Sequence, residues 1–176
     1  MYLDVPFVSQ LDFGGNQHLD DPTGCWYATA CMIAYSFEQG PRQGVPQLYS
    51  RPLPQADGTT RIGHWTISKG WLPTLMHNEN LAELDGGLPA TAEELEIALL
   101  TWGPLFLPWL KTAGGSTYGH ASAIIGARDN AIIYHDPENA PRSEMPLEEM
   151  RAKLAPGWPL LRRDALPFSY GVDVRA

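Results

Sequence analysis

The chain has 176 residues, 44% of them hydrophobic, with 6 Trp, 7 Tyr and 5 Phe, which indicates a folded protein with a substantial core. Its 12 basic and 20 acidic residues give a net charge of -8, which argues against a general binder of nucleic acid or anionic membranes, because such proteins need positive surface. No apolar run approaches the roughly 20 residues of a membrane span, and the first residues lack the basic and apolar regions of a secretory signal peptide.

The first part of the chain is predicted to hold a short extended segment, a loop and a helix. Residues 3–10 indicate an extended segment, which its proline confines to a sheet edge, and residues 11–24 are rich in the Gly, Asn and Asp typical of loops. A helix is predicted from Cys25 to Glu38, because a Gly-Pro pair stops it shortly afterwards. Apolar residues at three- and four-residue spacing predict one buried face, made of Ala28, Cys31, Met32 and Tyr35.

The middle of the chain alternates between irregular and helical patterns. Residues 40–63 hold many Pro, Gly and Gln without a period, so they predict a long surface excursion rather than a regular element. A helix is predicted over residues 66–76. Another begins after Thr91, which with Glu94 three positions later makes a capping box, and its apolar stripe consists of Leu95, Ala98, Leu99 and Trp102.

The last third of the chain carries strand patterns. Short apolar runs predict strands at residues 104–107, 120–127, 131–134, 158–163 and 167–172. A turn at residues 128–130 joins the second and third of these strands into a hairpin, and residues 146–154 predict a short helix. Helices followed by an antiparallel sheet indicate an α+β fold. No repeat or linker divides the chain, so we expect a single domain over residues 1–176.

The two cysteines are predicted to have different roles. On one helix they lie six positions apart, which is about 9 Å along the axis and too far for a disulfide. Cys31 belongs to the buried face and is assigned to the core. Cys25 follows a glycine at the helix start, where backbone N–H groups and the helix dipole favour the reactive thiolate, although a cysteine considered alone is more often a small buried hydrophobe. The chain lacks the closely spaced Cys/His pairs of a structural zinc site.

A histidine and an aspartate lie at the paired ends of the predicted hairpin. His120 begins one strand and Asp136 ends the other, so antiparallel pairing makes them neighbours if the hairpin is uneven or bulged. Alone, His120 is compatible with a core histidine, and an Asp-Pro pair often ends a strand. Together with Cys25 they form a set in which a thiolate attacks a carbonyl, an imidazole moves the proton and a carboxylate orients the ring.

Five motifs, in this order, resemble the papain-like cysteine peptidases. They are Val5-Pro6-Phe7-Val8-Ser9-Gln10, Gly24-Cys25-Trp26-Tyr27-Ala28-Thr29-Ala30, Trp102-Gly103-Pro104-Leu105, Gly119-His120-Ala121 and His135-Asp136-Pro137. The resemblance is to compact bacterial members, which include effector proteases and, more distantly, the double-glycine leader peptidases of bacteriocin exporters. It implies a papain-like α+β fold, with Cys25 as nucleophile, His120 as general base and acid, and Asp136 as the residue that orients the histidine.

The resemblance also implies a glutamine that donates to the oxyanion from a position before the nucleophile. Gln10 lies in the matching local motif, whereas Gln17 lies closer to the family's usual spacing from the cysteine. We favour Gln10 as the oxyanion donor, with residues 11–24 as an expanded loop.

These features predict a cysteine endopeptidase that cleaves a protein or peptide substrate through a thioester and needs no metal or organic cofactor. The family suggests a bacterial toxin or effector with an immunity or inhibitor protein as partner, and no nucleic-acid or membrane partner is expected. We expect the protein to be cytoplasmic in its producer or delivered into a target cell by a specialised secretion system. Alternatives on the same triad are a peptidoglycan amidase and a transglutaminase or acyltransferase, and an alternative without catalysis is a peptide-binding module.

Overall fold

The structure is a computed structural model that describes residues 1–11, 23–49, 52–54, 56–62, 66–164 and 174–175. Its helices are α1 (Cys25–Tyr35), α2 (Pro46–Tyr49), α3 (Leu72–Asn78), α4 (Ala92–Trp102) and α5 (Leu147–Ala152), with a 3-10 turn at Lys69–Trp71. Its strands are β1 (Tyr2–Leu3), β2 (Pro52–Pro54), β3 (Thr60–Ile62), β4 (Leu81–Glu83), β5 (Leu105–Ala113), β6 (Ser116–Arg128), β7 (Ala131–His135), β8 (Ser143–Pro146), β9 (Leu161–Arg163) and β10 (Val174–Arg175). None of the helices in the described ranges is long and apolar enough to cross a membrane.

An antiparallel sheet of eight strands organises the fold around β6. The strand order is β10-β1-β6-β5-β9-β4, with β7 paired to β6 and β8 paired to β7, while β2 and β3 form a separate hairpin. From His120 to Ala127 every residue of β6 is buried, because β6 has neighbouring strands on both edges and packs against α1 and α4. The functional motifs at the start of β6 and the end of β7 are therefore held by the most buried part of the sheet.

Helix α1 is buried on almost all sides, rather than on one face as its periodicity predicted. One side contributes Ala28, Cys31 and Met32 to a core with the sheet and α4, and the other contributes Trp26, Ala30 and Ile33 to a second core with α2 and α3. A helix that is apolar all round belongs in an interior. Its regular bonds end at Tyr35, short of the predicted end, because the chain continues as a turn with bonds from Phe37 and Glu38 N–H to the Ala34 carbonyl.

The capping-box helix is confirmed. The Thr91 hydroxyl accepts a bond from the Glu94 N–H at 3.1 Å, and the Glu94 carboxylate accepts one from the Thr91 N–H at 3.2 Å. Leu95 and Leu99 are buried as predicted, while the predicted helix over 66–76 begins as the 3-10 turn and continues as α3 to Asn78. Within the last third, the predicted run at 158–163 contains β9, and the predicted strand at 167–172 lies outside the described residues.

The prediction that residues 40–63 hold no regular element was wrong. This stretch contains α2 and the β2–β3 hairpin. Pro46 opens α2, a position where a missing N–H costs nothing. The buried carboxylate of Glu79 accepts a bond from the Gln43 N–H at 2.8 Å and one from the Gly44 N–H, which fixes the chain before α2. The contact joins positions 36 residues apart, so the local pattern carried no sign of it.

The β6–β7 hairpin contains a bulge close to the predicted site. Its turn residues Asp129 and Asn130 have positive φ values of 48° and 64°, as a tight two-residue hairpin turn requires. Pairing runs regularly to Gly126 and Ile133 and then shifts, so that Ile124 rather than Ile125 faces Tyr134. A shift of one residue changes the face to which all later side chains point. Asp136, one residue beyond β7, therefore lies on the face of β6 that carries His120.

Candidate active site

Cys25 is the first residue of α1 and is partly exposed at the wall of a cavity. The first turn of the helix carries no acidic residue, so the positive end of its dipole is not neutralised locally. Cys31, one and two-thirds turns further on, is 2% exposed, and its burial raises the pKa of its thiol to about 12. The predicted difference in burial between the two thiols is therefore confirmed. A buried thiol with a raised pKa, such as that of Cys31, is inert.

The imidazole of His120 is fixed by an aspartate and a tryptophan. His120 Nε2 and Asp136 Oδ1 are 2.7 Å apart, and both side chains are almost fully buried. Trp109 pairs with His120 across β5 and β6, and the two rings meet edge to face with centroids 5.6 Å apart. The Trp109 ring is anchored in turn by its indole N–H, which donates to the Ser122 hydroxyl at 3.0 Å.

The electrostatics of the site favour an imidazolium beside an ionised carboxylate. Burial lowers the pKa of His120, but the hydrogen bonds with Asp136 and Cys25 outweigh it and raise that pKa to about 9. Burial acts to raise the pKa of Asp136, but the bonds from His120 and Lys111 lower it to about 2. Because Nε2 faces Asp136, Nδ1 is the ring nitrogen left for the Cys25 sulfur. An imidazole held in this place can accept the proton of an attacking thiol and, as the imidazolium, return it to a leaving group.

Gln10 lies beside the loop that carries Asp136. Its backbone N–H donates to the Pro137 carbonyl at 2.9 Å, and its side chain is buried. His135 holds the same N-terminal segment, since its Nε2 bonds the Val5 carbonyl at 2.9 Å. Two of the sequence motifs are therefore joined in space. Gln10 is not among the described residues that line the cavity at Cys25, and Gln17 lies outside the described residues.

Sequence reasoning missed Lys111, Glu138 and Tyr118, which surround the aspartate. Lys111 Nζ lies 2.7 Å from Asp136 Oδ2 and 2.6 Å from Glu138 Oε2, and the Tyr118 hydroxyl donates to Glu138 Oε2 at 2.6 Å. The sequence feature that could have indicated this cluster is a lysine among the apolar residues of β5. Atoms of His120, Asp136 and Glu138 that could ligate a metal ion lie within 4.8 Å of one another. The Lys111 ammonium, however, already bridges the two carboxylates.

A cavity of about 350 Å³ adjoins Cys25 and His120. Its walls combine the start of α1, the segment before α3, strands β5 and β6, and the loop before β9. Most of the lining is apolar, including Trp26, Ile67, Phe106, Pro108, Ala121 and Trp158. Among the described lining residues there is no Asp, Glu, Lys or Arg, so the cavity suits an uncharged, apolar group.

A family comparison agrees with this geometry. The family model described as papain-like cysteine protease AvrRpt2 matches residues 3–155, a stretch that contains all five sequence motifs. The match confirms the predicted papain-like α+β fold and the prediction of a thiol protease, a hydrolase of bacterial effector type that acts on protein substrates. The chain belongs to the AvrRpt2 family of papain-like cysteine proteases.

Proposed function

We propose that Cys25, His120 and Asp136 are the catalytic residues of an endopeptidase that cleaves a protein substrate through a thioester. One observation carries the proposal: the 2.7 Å bond between His120 and Asp136 lies beside the half-exposed thiol at the start of α1. Cys25 and His120 both line the cavity, and Asp136 bonds the histidine from its buried side, which is the arrangement that the proposed roles require.

In this mechanism the Cys25 thiolate attacks the carbonyl carbon of the scissile bond, and the electron pair of the C=O bond moves to the oxygen. The intermediate collapses as the His120 imidazolium gives its proton to the leaving amine, which leaves a thioester on Cys25. His120, now neutral, takes a proton from water, whose oxygen attacks the thioester. The C–S bond then breaks, its electron pair returns to the Cys25 sulfur, and the acid product leaves; with the proton from water on His120, the site is back in its starting state. Asp136 stays ionised and keeps the imidazole ring oriented.

The oxyanion is proposed to be stabilised by the backbone N–H at the start of α1 and by the side-chain amide of Gln10. The first N–H groups of a helix have no partner within the helix, so they are available to a developing negative charge. The bond between the Gln10 N–H and the Pro137 carbonyl supports the assignment of Gln10, because it ties this residue to the loop of Asp136.

We propose that the cavity receives an apolar side chain of the substrate next to the scissile bond. The support is its lining by Phe106, Trp158 and Ala121 beside His120. Burial of such a side chain contributes about 1.5–3 kcal/mol, enough to favour apolar residues at one substrate position.

The effector type of the family supports two further proposals about the setting of this activity. The protease acts in a target cell after delivery by a specialised secretion system, and an immunity or inhibitor protein covers its cavity in the producer. Expression in the target cell tests the first, since toxicity must require Cys25. Recovery of a tight complex from the producer tests the second, and free enzyme in producer extracts contradicts it.

A digestion experiment tests the catalytic assignment. Wild type, Cys25→Ala, His120→Ala and the control Cys31→Ala are incubated with a target-cell lysate, and new protein N-termini are mapped by mass spectrometry. New N-termini are expected with wild type and Cys31→Ala, and none with the other two variants. Cleavage by Cys25→Ala contradicts the proposal, and covalent adducts on glutamine or lysine without new N-termini indicate an acyltransferase instead.

A further inference from the structure

Lys111 is a buried lysine next to the proposed catalytic aspartate. Its side chain is 7% exposed, and lysines are almost never buried unless they are paired. Its ammonium makes two short ion pairs, with Asp136 Oδ2 at 2.7 Å and with Glu138 Oε2 at 2.6 Å. Burial of charges is costly, and apolar residues in place of a whole buried ion-pair network are often neutral or stabilising, so stability alone is a weak explanation for this network. The geometry of Lys111 points to a role beyond stability.

The sheet places Lys111 on the same face as the proposed base. In the β5–β6 pairing Lys111 faces Tyr118, and Trp109 faces His120, two residues along on both strands. Because side chains of a strand alternate between faces, these four share one face. Asp136 divides its oxygens between the neighbours: Oδ1 accepts from His120 and from the Glu138 N–H at 3.0 Å, and Oδ2 accepts from Lys111.

We propose that Lys111 is a positioning residue that acts through Asp136. Its ammonium holds Oδ2, so that Oδ1 stays aimed at His120 Nε2, and it balances the second negative charge brought in by Glu138. The inference rests on the proposed role of Asp136 in the reaction. It assigns to Lys111 no contact with the substrate.

The charge balance explains why the lysine is needed. Removal of Lys111 leaves the His120 imidazolium as the cation beside the two carboxylates, and because each carboxylate disfavours the charge of the other, the pKa of the pair rises. Burial acts to raise the pKa of Glu138, but the bonds from Lys111 and Tyr118 lower it. Without Lys111, one carboxylate of the Asp136–Glu138 pair takes up a proton at higher pH than in the wild type. At acidic pH the His120 imidazolium then loses part of the negative charge that balances it.

Other titratable groups face the same carboxylates. Tyr118 donates to Glu138, and burial and then this bond raise the pKa of its hydroxyl. Tyr134 lies on β7, and burial, followed by the charge of Asp136, raises the pKa of its hydroxyl to about 12. Both tyrosines therefore stay neutral between pH 4 and 9 and cannot replace the lysine as a cation.

The experiment measures alkylation of Cys25 by iodoacetamide as a function of pH, with the modified peptide quantified by mass spectrometry. The variants are Lys111→Met, Lys111→Gln, Lys111→Arg and Asp136→Asn. The matched control is Lys153→Met, which removes the same charge from a lysine that pairs with Glu149 at the end of α5. Circular dichroism checks that each variant is folded. Lys111→Gln keeps a hydrogen-bond donor, so it carries the test if Lys111→Met does not fold.

We expect the acidic limb of the profile to move to higher pH by about one unit in Lys111→Met and Lys111→Gln, which lowers the alkylation rate roughly tenfold at pH values below the wild-type limb. Lys111→Arg restores the charge and returns the limb towards the wild-type position, and Lys153→Met leaves it unchanged. A purely structural lysine would lower the melting temperature without moving the limb.

Two failures can be told apart. If Asp136→Asn changes the profile while a folded Lys111→Met or Lys111→Gln does not, the positioning role of Lys111 is overturned and the triad stands. If Asp136→Asn has the wild-type profile, the proposed role of Asp136 fails first, and the role of Lys111 fails with it.

Discussion

At the scale of single residues, the proton on His120 is the centre of the site. Its pKa of about 9 depends on a carboxylate on one ring nitrogen and a thiol on the other, since burial alone acts in the opposite direction. Asp136 keeps its charge because it accepts from His120, Lys111 and a backbone N–H together. The fold itself thus sets the charges of the pair, as the proposed catalytic roles of both residues require.

The first prediction concerns how far Cys25 raises the pKa of His120. In Cys25→Ala the pKa of His120 falls below that of wild type, because the hydrogen bond with Cys25 and the Coulombic interaction with its sulfur both raise that pKa. Titration of the His120 ring signal by NMR measures the change. Cys31→Ala is the control, and its titration should match the wild type. Equal pKa values in wild type and Cys25→Ala would show that the thiol does not reach the ring.

The second prediction concerns stability against pH. The folded pKa of His120 is raised above its ordinary value of 6.5 to about 9, so its stabilisation is fully present below pH 6.5 and is lost as pH rises through 9. The lowered pKa of Asp136, about 2 against 3.8, gives stabilisation that is present above pH 3.8 and lost towards pH 2. Relative to wild type, His120→Ala therefore loses more stability at pH 6 than at pH 10, by about 3 kcal/mol. Urea denaturation at both values measures this, and a pH-independent difference contradicts it.

At the scale of elements, the sequence predicts the β6–β7 hairpin but not the bulge within it. The hairpin and its turn at Asp129 and Asn130 followed from short apolar runs and turn residues, both of which are local signals. The bulge at Ile125 did not, because an apolar run does not mark which of its residues stays unpaired; the residue next to it, Gly126, pairs with Tyr2 of β1 from the other end of the chain. A β-carbon on Gly126 would lie 2.5 Å from the Met1 carbonyl oxygen and 2.5 Å from the Tyr2 β-carbon.

The third prediction follows from that close approach. Gly126→Ala destabilises the protein by about 1–3 kcal/mol, because the added carbon must push β1 away from β6. Gly119→Ala, on the same strand, is the matched control, since a β-carbon there meets no atom within 4 Å among the described residues. Urea denaturation compares the two. Equal stabilities would mean that β1 adjusts at no cost.

The fourth prediction concerns the start of α4. Thr91→Ala removes the hydroxyl that caps the Glu94 N–H and costs about 1 kcal/mol. The control on the same helix is Thr101→Ala, whose hydroxyl bonds only back to the Ile97 carbonyl in the described contacts and which should be neutral or slightly stabilising. Thermal unfolding measures both variants. A Thr91→Ala protein as stable as wild type would show that the cap contributes nothing measurable.

At the scale of the whole molecule, sequence reasoning reached the parts whose signals are local. Cys25 was recognisable because a glycine and a helix start flank it, and the α+β order followed from where the helical and strand patterns lie. Lys111 was not recognisable, because its partner Asp136 is 25 positions away and most lysines are exposed. The single-domain assignment over residues 1–176 and the catalytic roles of Cys25, His120, Asp136 and Gln10 stay predictions.

The fifth prediction concerns the cavity that these distant segments build together. Ala121→Leu adds bulk to its wall, so kcat/KM should fall at least about tenfold for a peptide with a large apolar residue at the mapped site. The rate of Cys25 alkylation by iodoacetamide should stay within about twofold, because the reagent is small and the triad is untouched. Ala113→Leu, at the exposed end of β5, is the control. A loss of alkylation in Ala121→Leu would place the damage at the triad instead.

The extra residue in β6 changes the sequence separation between hairpin residues that lie on the same face. Across a two-residue turn, paired positions differ by an odd number, as Arg128 and Ala131 do. One additional residue makes the separation even, and His120 and Asp136 are 16 positions apart. Insertion of one residue into each strand preserves this parity, whereas deletion of one residue near Ile125 reverses it and turns Asp136 to the opposite face. Paired insertions between the histidine and aspartate motifs therefore keep the two residues on one face, whereas a single insertion does not.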